Sequence, residues 1–417
     1  MIRIGIVGCG RILAAHLRGY RLLREAGVDD FRITALCARR LDDARKYVCR
    51  GQGPPQRAPV SNLPGDPLAV GDEYLSDFQR DVEVELFTDY RRMIAAGPID
   101  AVNDFTTHGL HHQVAESALT EGKDLLTQKP LAVSVAAGRR MCELAESRDR
   151  VLAVFENFRY TPATRQLKWL FDSGLGGRLQ MILLGYFALW WAPDRIVAQT
   201  PWRHRVIDGG GISLDLGVHF FDQFRYVGGE IETVAAQTAI LEPRRFTRDA
   251  TTGRVVEAID CDADDTFFAQ ARTSQGVEIQ MGASWAGHGK PTLVGDGTVF
   301  YGTRARVSGT EVAMDDGTST EIATLYEPQA GPRQTSRDFP LGLRDSFALS
   351  QNAWLEGIRR REPPETDGRE GLSDLAAAMA LLESAHAGRR VDVGEVLDGT
   401  LREFQRPIDE RYGLLDA

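Results

Sequence analysis

Apolar runs and amphipathic stretches alternate along the first third of the chain. The first apolar run, at residues 2–7, is followed by a glycine-rich turn and a helical pattern. Later apolar runs predict buried strands at residues 31–37, 85–87, 100–105, 123–127 and 151–155. Helical patterns lie between them, at residues 89–96 and 135–147. A further helical pattern follows residues 106–112, ends at about Glu121 and is capped by Gly122. Strands that alternate with helices predict a parallel sheet with helices on both faces.

The pattern changes at about residue 160. Helices are predicted at residues 162–171, 212–227, 343–359 and 371–387. Strand-like runs bounded by turn residues lie at residues 178–190, 231–240, 266–273, 277–285, 298–301, 304–308 and 320–324. Such a succession of strands predicts one large antiparallel sheet.

Residues 51–83 interrupt the alternation in the first half. Prolines and glycines are dense between residues 51 and 72, which excludes regular structure. Loops of this length inside a domain are usually functional or disordered. We predict that this insertion is a mobile flap or an oligomer contact outside the core.

The turn after the first strand reads Gly8-Cys9-Gly10. Strand, glycine turn and helix form the context of a dinucleotide fingerprint, in which Gly8 permits the turn and Gly10 lets a pyrophosphate approach the helix N-terminus. Leu13 stands at the third glycine position, so the motif is incomplete. An ordinary strand–helix turn is the alternative.

The second strand ends in Cys37-Ala38-Arg39-Arg40, without the acidic residue that would bind the adenosine ribose hydroxyls. Arg39 is placed to meet a 2′-phosphate, which favours NADP over NAD. Alternatively, Arg39 and Arg40 begin a solvated helix, and NAD stays open.

Composition narrows the possible partners. The 417 residues carry a net charge of −10 without a basic block, which argues against nucleic acid. No apolar run is long enough to span a bilayer and no signal peptide precedes the first strand, so we expect a soluble cytoplasmic protein. The five cysteines are scattered, which indicates reduced thiols and no metal site.

Candidate chemistry lies at the predicted strand ends, which should line one crevice: Gly8, Ala38, Thr106, Lys129 and Asn157. An enclosed lysine can exchange protons near neutral pH, although Lys129 could equally be a surface lysine.

The predicted helix at residues 212–227 carries a second candidate group. Its spacing puts Asp215, His219 and Asp222 on one face, where Asp215 could orient His219. A helix-terminal acid with a core histidine, or a weakly indicated metal site, are the alternatives. Trp190, Trp191 and Trp202 could be platforms for sugar faces or simply core.

These motifs together resemble the glucose-fructose oxidoreductase / inositol dehydrogenase (Gfo/Idh/MocA) family. The resemblance rests on Gly-Ile-Val-Gly-Cys-Gly-Arg-Ile with His16, on Glu121-Gly-Lys-Asp-Leu-Leu-Thr-Gln-Lys-Pro-Leu131, on Asn157-Phe-Arg-Tyr-x-Pro162, and on Gly209-Gly-Gly-x-x-x-Asp215-x-Gly-x-His219-x-x-Asp222. It covers nearly the whole chain outside residues 51–83. Three residues depart from the family pattern: Gln128 replaces a glutamate, Thr107 a proline and Ala38 an acid.

The resemblance implies an α/β architecture with an N-terminal Rossmann domain at residues 1–156. A C-terminal α/β domain at residues 157–417 would carry a large, open, mainly antiparallel sheet, used for substrate binding and for homodimer or homotetramer contacts. It implies that Lys129, His219 and Asp215 are catalytic. The implied cofactor-binding residues are Gly8, Cys9, Gly10, Arg11, Ile12, Ala38, Arg39, Phe105, Thr106, Thr107, His108, His111, Gln128, Lys129 and Asn157. The implied substrate-side residues are Lys129, Tyr160, Trp202, Arg203, Asp215 and His219.

The predicted activity is NAD(P)-dependent hydride transfer to or from a hydroxyl-bearing carbon of a sugar, sugar derivative or cyclitol. The same residues would serve a glycoside-cleaving enzyme that works through transient oxidation and elimination. A non-catalytic NAD(P)-binding regulator is an alternative of another class, against which the retained Lys129, Asp215 and His219 argue.

Overall fold

The chain folds into two compact units, as the computed structural model describes them for residues 1–62, 65–188 and 194–415. The first unit comprises Met1–Ala132, Gly138–Tyr160 and Phe339–Gly371. The second comprises Val133–Ala137, Thr161–Asp338 and Leu372–Ala417. The compact unit that contains most of residues 1–156 therefore also takes in a distant segment of the chain.

A six-stranded parallel sheet forms the centre of the first unit, in the order β3-β2-β1-β4-β5-β6. Its strands are β1 (Ile2–Val7), β2 (Phe31–Cys37), β3 (Glu85–Phe87), β4 (Ala101–Asp104), β5 (Asp124–Gln128) and β6 (Leu152–Phe155). The order reverses next to β1, which makes the edge between β1 and β4 the topological switch point where such sheets bind ligands. The predicted parallel sheet is confirmed.

The helices between these strands agree with the apolar pattern. They are α1 (Leu13–Glu25), α2 (Leu41–Arg45), α3 (Tyr90–Ala96), α4 (His111–Thr120) and α5 (Val135–Ser147). The short helix α2 follows Arg40, as in the alternative in which Arg39 and Arg40 begin a solvated helix. The carboxylate of Asp89 caps α3 by accepting from the backbone N–H of Arg91 at 2.9 Å.

The insertion differs from its prediction in its second half. Leu75 is buried in the core of the first unit together with residues of β1, β2 and α1. The side chain of Gln79 takes the place of a neighbouring strand for Ile33 of β2, accepting from its N–H at 3.0 Å and donating to its carbonyl at 2.7 Å. Tyr74, Leu75 and Gln79 are therefore buried in the first unit, and the prediction that the whole insertion lies outside its core was wrong.

The described part of the second unit is built on a nine-stranded sheet in the order β16-β15-β14-β13-β7-β12-β11-β8-β17. Its elements up to residue 338 are α6 (Pro162–Asp172), β7 (Leu179–Phe187), α7 (Ile212–Asp215), α8 (Gly217–Gly228), β8 (Ile231–Ala239), β9 (Arg244–Arg248), β10 (Val255–Asp260), β11 (Thr266–Thr273), β12 (Glu278–Ser284), β13 (Thr292–Gly302), β14 (Ala305–Ser308), β15 (Glu311–Met314), β16 (Ser319–Glu321), α9 (Ile322–Gln329) and α10 (Gly331–Asp338). The neighbouring strands are antiparallel except for β7 and β12. The predicted large, mainly antiparallel sheet is confirmed.

The rest of the chain returns to the first unit and then completes the second. Its elements are α11 (Ser346–Arg360), α12 (Gly368–Ala387), β17 (Val391–Asp392), α13 (Val393–Leu397) and α14 (Arg406–Tyr412). Phe347, Trp354 and Leu355 of α11 join the same buried cluster as Leu17 and Tyr20 of α1. The two helices therefore share one hydrophobic core.

Several local predictions were wrong. The predicted helix at residues 212–227 is interrupted at Leu216, so Asp215 ends α7 whereas His219 and Asp222 lie in α8. Residues 322–324 begin α9 rather than continue a strand. The two-stranded sheet of β9 and β10 was not predicted. The predicted end of the strand at residues 178–190, with Trp190 and Trp191, falls outside the described residues.

Candidate functional site

The glycine turn brings the ends of three strands together. Gly8 has a φ of +100°, and a Cβ on it would lie 2.4 Å from the carbonyl oxygen of Phe105, so only glycine fits. The N–H of Gly8 donates to the carbonyl of Cys37 at 2.9 Å, and that of Phe105 donates to Val7 at 2.8 Å. The turn is thus fixed to the ends of β2 and β4.

The space beside the backbone of Gly10 is open. A Cβ built there would meet no atom within 4 Å, and the first turn of α1 carries no acidic residue. The hydroxyl of Tyr47 supports the turn by donating to the Gly10 carbonyl at 2.7 Å. Open space against a helix N-terminus suits an anionic group, so these residues fit the pyrophosphate of a dinucleotide.

The residues predicted to bind the cofactor follow the carboxyl ends of five parallel strands of the first unit. They are Gly8, Cys9, Gly10, Arg11 and Ile12 after β1, Ala38 and Arg39 after β2, Phe105, Thr106, Thr107, His108 and His111 after β4, Gln128 and Lys129 at the end of β5, and Asn157 after β6. Because the strands are parallel, these ends lie along one edge of the sheet.

A buried histidine on α1 touches two of these strand ends. The ring of His16 stacks on Phe105 with centroids 3.6 Å apart, and its Nε2 lies 2.6 Å from the amide nitrogen of Gln128. Burial holds the pKa of His16 well below its usual value, so the imidazole is neutral. A neutral amide at position 128 matches a neutral imidazole, whereas a carboxylate would favour the charged ring.

The ends of β4 and β5 are linked through His111. Its Nδ1 lies 2.8 Å from the carbonyl oxygen of Pro130, directly after Lys129, which is half-buried. Asp104 closes β4 and accepts from the N–H of Thr106 at 3.0 Å, and burial raises the pKa of this carboxyl. The backbone directly after Lys129 is therefore fixed to the start of α4.

Tyr160 lies in the first unit and is buried. Its N–H donates to the carbonyl of Asn157 at 3.2 Å, and its hydroxyl oxygen is 3.5 Å from that of Thr366. The substrate-side role predicted for Tyr160 stays a prediction.

The second unit joins three of the predicted residues in one group. The Nε of Arg203 donates to the carboxylate of Asp215 at 3.0 Å, and its guanidinium carbon lies 4.4 Å from the ring centroid of Trp202. The side chain of Arg203 also donates to the hydroxyl of Thr200 at 2.6 Å. Sequence reasoning named Arg203 and Asp215 but missed their ion pair, because a loop and the glycine corner at residues 209–211 separate them.

Asp264, which contacts α7, was not predicted from the sequence as a site residue. Its carboxylate caps α7 by accepting from the N–H and the hydroxyl of Ser213 at 3.0 and 2.7 Å. Gly211 has a φ of +105° and approaches Asp264 too closely for any side chain. Burial raises the pKa of Asp264 to about 6. The Asp264-Asp265 pair directly before a predicted strand is the sequence signal that could have drawn attention to it.

The described residues contain neither a metal site nor a membrane-spanning helix. Among these residues, no group of three or more His, Cys, Asp or Glu side chains is arranged to hold a metal ion. No helix within them has the length and apolar character needed to cross a bilayer.

Family models match both halves of the chain. The model of the oxidoreductase family with an NAD-binding Rossmann fold matches residues 2–156, and the model of the GFO/IDH/MocA C-terminal domain matches residues 164–313. The chain belongs to the Gfo/Idh/MocA family. It is therefore an oxidoreductase whose N-terminal Rossmann fold binds NAD(P).

Relatives in this family are similar over nearly the full length. A D-apiose dehydrogenase of Paraburkholderia graminis is 26% identical over 93% of this chain and 88% of its own. A myo-inositol 2-dehydrogenase of Thermotoga maritima is 23% identical over 95% of this chain and 100% of its own. A levoglucosan dehydrogenase solved with NADH and L-sorbose superposes with a TM-score of 0.72 at 20% identity, covering 94% of this chain and 99% of that one, which shows the shared fold.

The three residues that depart from the Gfo/Idh/MocA pattern lie at strand ends of the first unit. Gln128 contacts the neutral His16, and the carbonyl of Thr107 accepts from the N–H of Leu110 at 2.8 Å to start a helical turn. Ala38 is buried, and its N–H donates to the carbonyl of Phe87 at 3.1 Å. Only the contact of Gln128 is made by the replacing side chain, since those of Thr107 and Ala38 are made by the backbone.

Proposed function

We propose that this protein transfers a hydride between a nicotinamide cofactor and a hydroxyl-bearing carbon of a sugar, sugar derivative or cyclitol. The bare glycine turn at Gly8-Cys9-Gly10, on the carboxyl edge of the parallel sheet, carries the proposal. The relatives support the substrate class, since they include dehydrogenases named for D-apiose, myo-inositol and levoglucosan.

We propose that residues 1–156 bind the cofactor and that residues 157–417 bind the substrate and form homodimer or homotetramer contacts through the nine-stranded sheet. The cysteines form no disulfides within the described residues, which supports a protein that resides in a reducing compartment. We therefore propose a cytoplasmic location.

In this proposal, Lys129 and His219 hold and move the proton of the reacting hydroxyl. Asp215 tunes His219 and, through its ion pair, orients Arg203 toward the substrate hydroxyls. Trp202 supplies an apolar surface for the ring of the substrate, and Tyr160 and Asn157 complete the substrate side. The cofactor, when bound, accepts or supplies the hydride.

The test is a scan of sugars, cyclitols and glycosides with NAD+ and with NADP+, followed by absorbance of the reduced nicotinamide. We expect reduction with at least one sugar or cyclitol. Cleavage of a glycoside without net cofactor reduction would instead identify the elimination mechanism. Tight cofactor binding without turnover on any compound would favour a regulator.

We further propose that NADP binds at least as well as NAD. Ala38 stands where a carboxylate would repel a 2′-phosphate, and the exposed guanidinium of Arg39 can pair with one. Arg39→Ala should weaken NADP binding by about ten- to a hundredfold and leave NAD nearly unchanged. Calorimetric titration of both cofactors measures this, and a strong wild-type preference for NAD with no selective loss would refute it.

A further inference from the structure

The first part of the insertion runs along the glycine turn and the corner after β2. The carbonyl of Ala58 accepts from the guanidinium of Arg11, next to Gly10, at 2.8 Å. The side chain of Gln56 donates to the carbonyl of Glu73 at 2.6 Å, which ties the segment to the part of the insertion that lies in the core. Residues 56–58 are thus fixed beside the fingerprint turn.

This arrangement places Arg57 against α2. Its guanidinium lies 3.4 Å from the carboxylate of Asp43, which also binds Arg40 at 3.0 Å and Lys46 at 2.5 Å. The carboxylate of Asp43 therefore contacts three cations, so the segment after β2, where Arg39 lies, carries an excess of positive charge. About half of the Arg57 side chain remains exposed, so it can accept a further partner.

Two more cations belong to the same corner. The guanidinium of Arg11 donates to the carbonyl of Ala58, the residue directly after Arg57, so two like charges lie close together. Burial, together with the charge of Arg57, lowers the pKa of Arg11. Arg39 is exposed and forms no ion pair within the described part of the chain. Cations gathered in this way on a chain of net charge −10 are typical of a site for a compact anion.

We propose that Arg57 is a specificity-determining residue which, with Arg11 and Arg39, binds the 2′-phosphate of NADP. The inference rests on the proposed preference for NADP, because the phosphate is the only group that separates the two cofactors. The insertion then has a role in cofactor binding, because it adds the guanidinium of Arg57 to those of Arg11 and Arg39 in the βαβ unit.

Titration calorimetry with NADP+, NAD+, 2′,5′-ADP and ADP tests the proposal on the whole chain. Arg57→Ala should weaken NADP+ and 2′,5′-ADP by about ten- to a hundredfold and change NAD+ and ADP by less than about twofold. Arg80→Ala is the matched control, because Arg80 is an exposed arginine of the same insertion that donates to the Ser76 carbonyl. It should change none of the four affinities.

Arg57→Met keeps an unbranched, flexible side chain and removes its charge, so it should reproduce the selective loss if charge is responsible. Equal losses for the phosphorylated and unphosphorylated ligands, or no loss, would overturn the role of Arg57. If the wild type prefers NADP+ and Arg39→Ala weakens it while Arg57→Ala does not, only this inference fails. If the wild type strongly prefers NAD+, the proposed cofactor choice fails and the inference with it.

Discussion

Lys129 is the residue whose proposed chemistry can be tested most directly. It follows β5 at the edge where the cofactor-binding residues lie, and its neighbour Pro130 is fixed through His111. Lys129→Ala should lower turnover by on the order of 10²- to 10⁴-fold while the cofactor still binds, because one positioned proton-transfer group is lost. Steady-state kinetics with a binding titration checks this, with the exposed Lys290→Ala as control. Near-normal kcat would remove Lys129 from the mechanism.

We expect Asp264 to make the stability of the second unit depend on pH. The raised pKa, about 6, means that the folded chain binds this proton more tightly than the unfolded chain. Its stabilising contribution is therefore fully present below the ordinary carboxyl pKa and is lost as the pH rises through about 6. Between pH 4.5 and 7.5 the loss should be on the order of 2 kcal/mol of unfolding free energy.

Asp264→Asn should abolish that part of the pH dependence, because an amide does not ionise. Denaturation at both pH values, followed by tryptophan fluorescence, measures it. Asp260→Asn alters a nearby exposed carboxylate and should leave the dependence unchanged. Parallel pH profiles for wild type and Asp264→Asn would contradict the assignment.

Among the elements, the strands and helices of the first unit could be predicted because their apolar periodicity is strong and local. β9 and β10 escaped prediction because their positions are mostly exposed and they form a sheet of two strands, so no apolar alternation marks them. The interruption at Leu216 escaped for a different reason: the residues on either side keep a helical pattern. Because Asp215 and His219 lie in different helices, their spacing in the sequence could not show how they are arranged.

Gln79 of the insertion stabilises β2 through two hydrogen bonds to the backbone of Ile33. Gln79→Leu would leave the N–H and the carbonyl of Ile33 without the partners that the amide supplies. We expect a loss of about 2–4 kcal/mol in unfolding free energy, since each buried polar group left unsatisfied costs about 1–3 kcal/mol. Urea denaturation compares it with Gln52→Leu, an exposed glutamine of the same insertion, which should change little. Equal midpoints for the two variants would show that Gln79 is dispensable.

At the scale of the whole molecule, sequence predicted the two architectures and the strand ends at which the candidate cofactor residues lie. The strand ends named from the alternating pattern do lie along one edge of the sheet, because parallel strands leave no other arrangement. The ion pair of Arg203 with Asp215 and the placement of Arg57 beside Asp43 could not be predicted. Both depend on loops, whose course is set by packing rather than by periodicity.

The division of the first unit between distant parts of the sequence has a consequence for synthesis. The apolar side of α1 that receives Phe347, Trp354 and Leu355 has no cover until the ribosome has passed residue 371. At about 5–20 residues per second, the stretch from residue 160 to residue 371 takes roughly 10 to 40 s. Nascent chains should therefore depend on chaperones during this interval. A fragment of residues 1–160 released early should aggregate, although it carries every strand of its sheet.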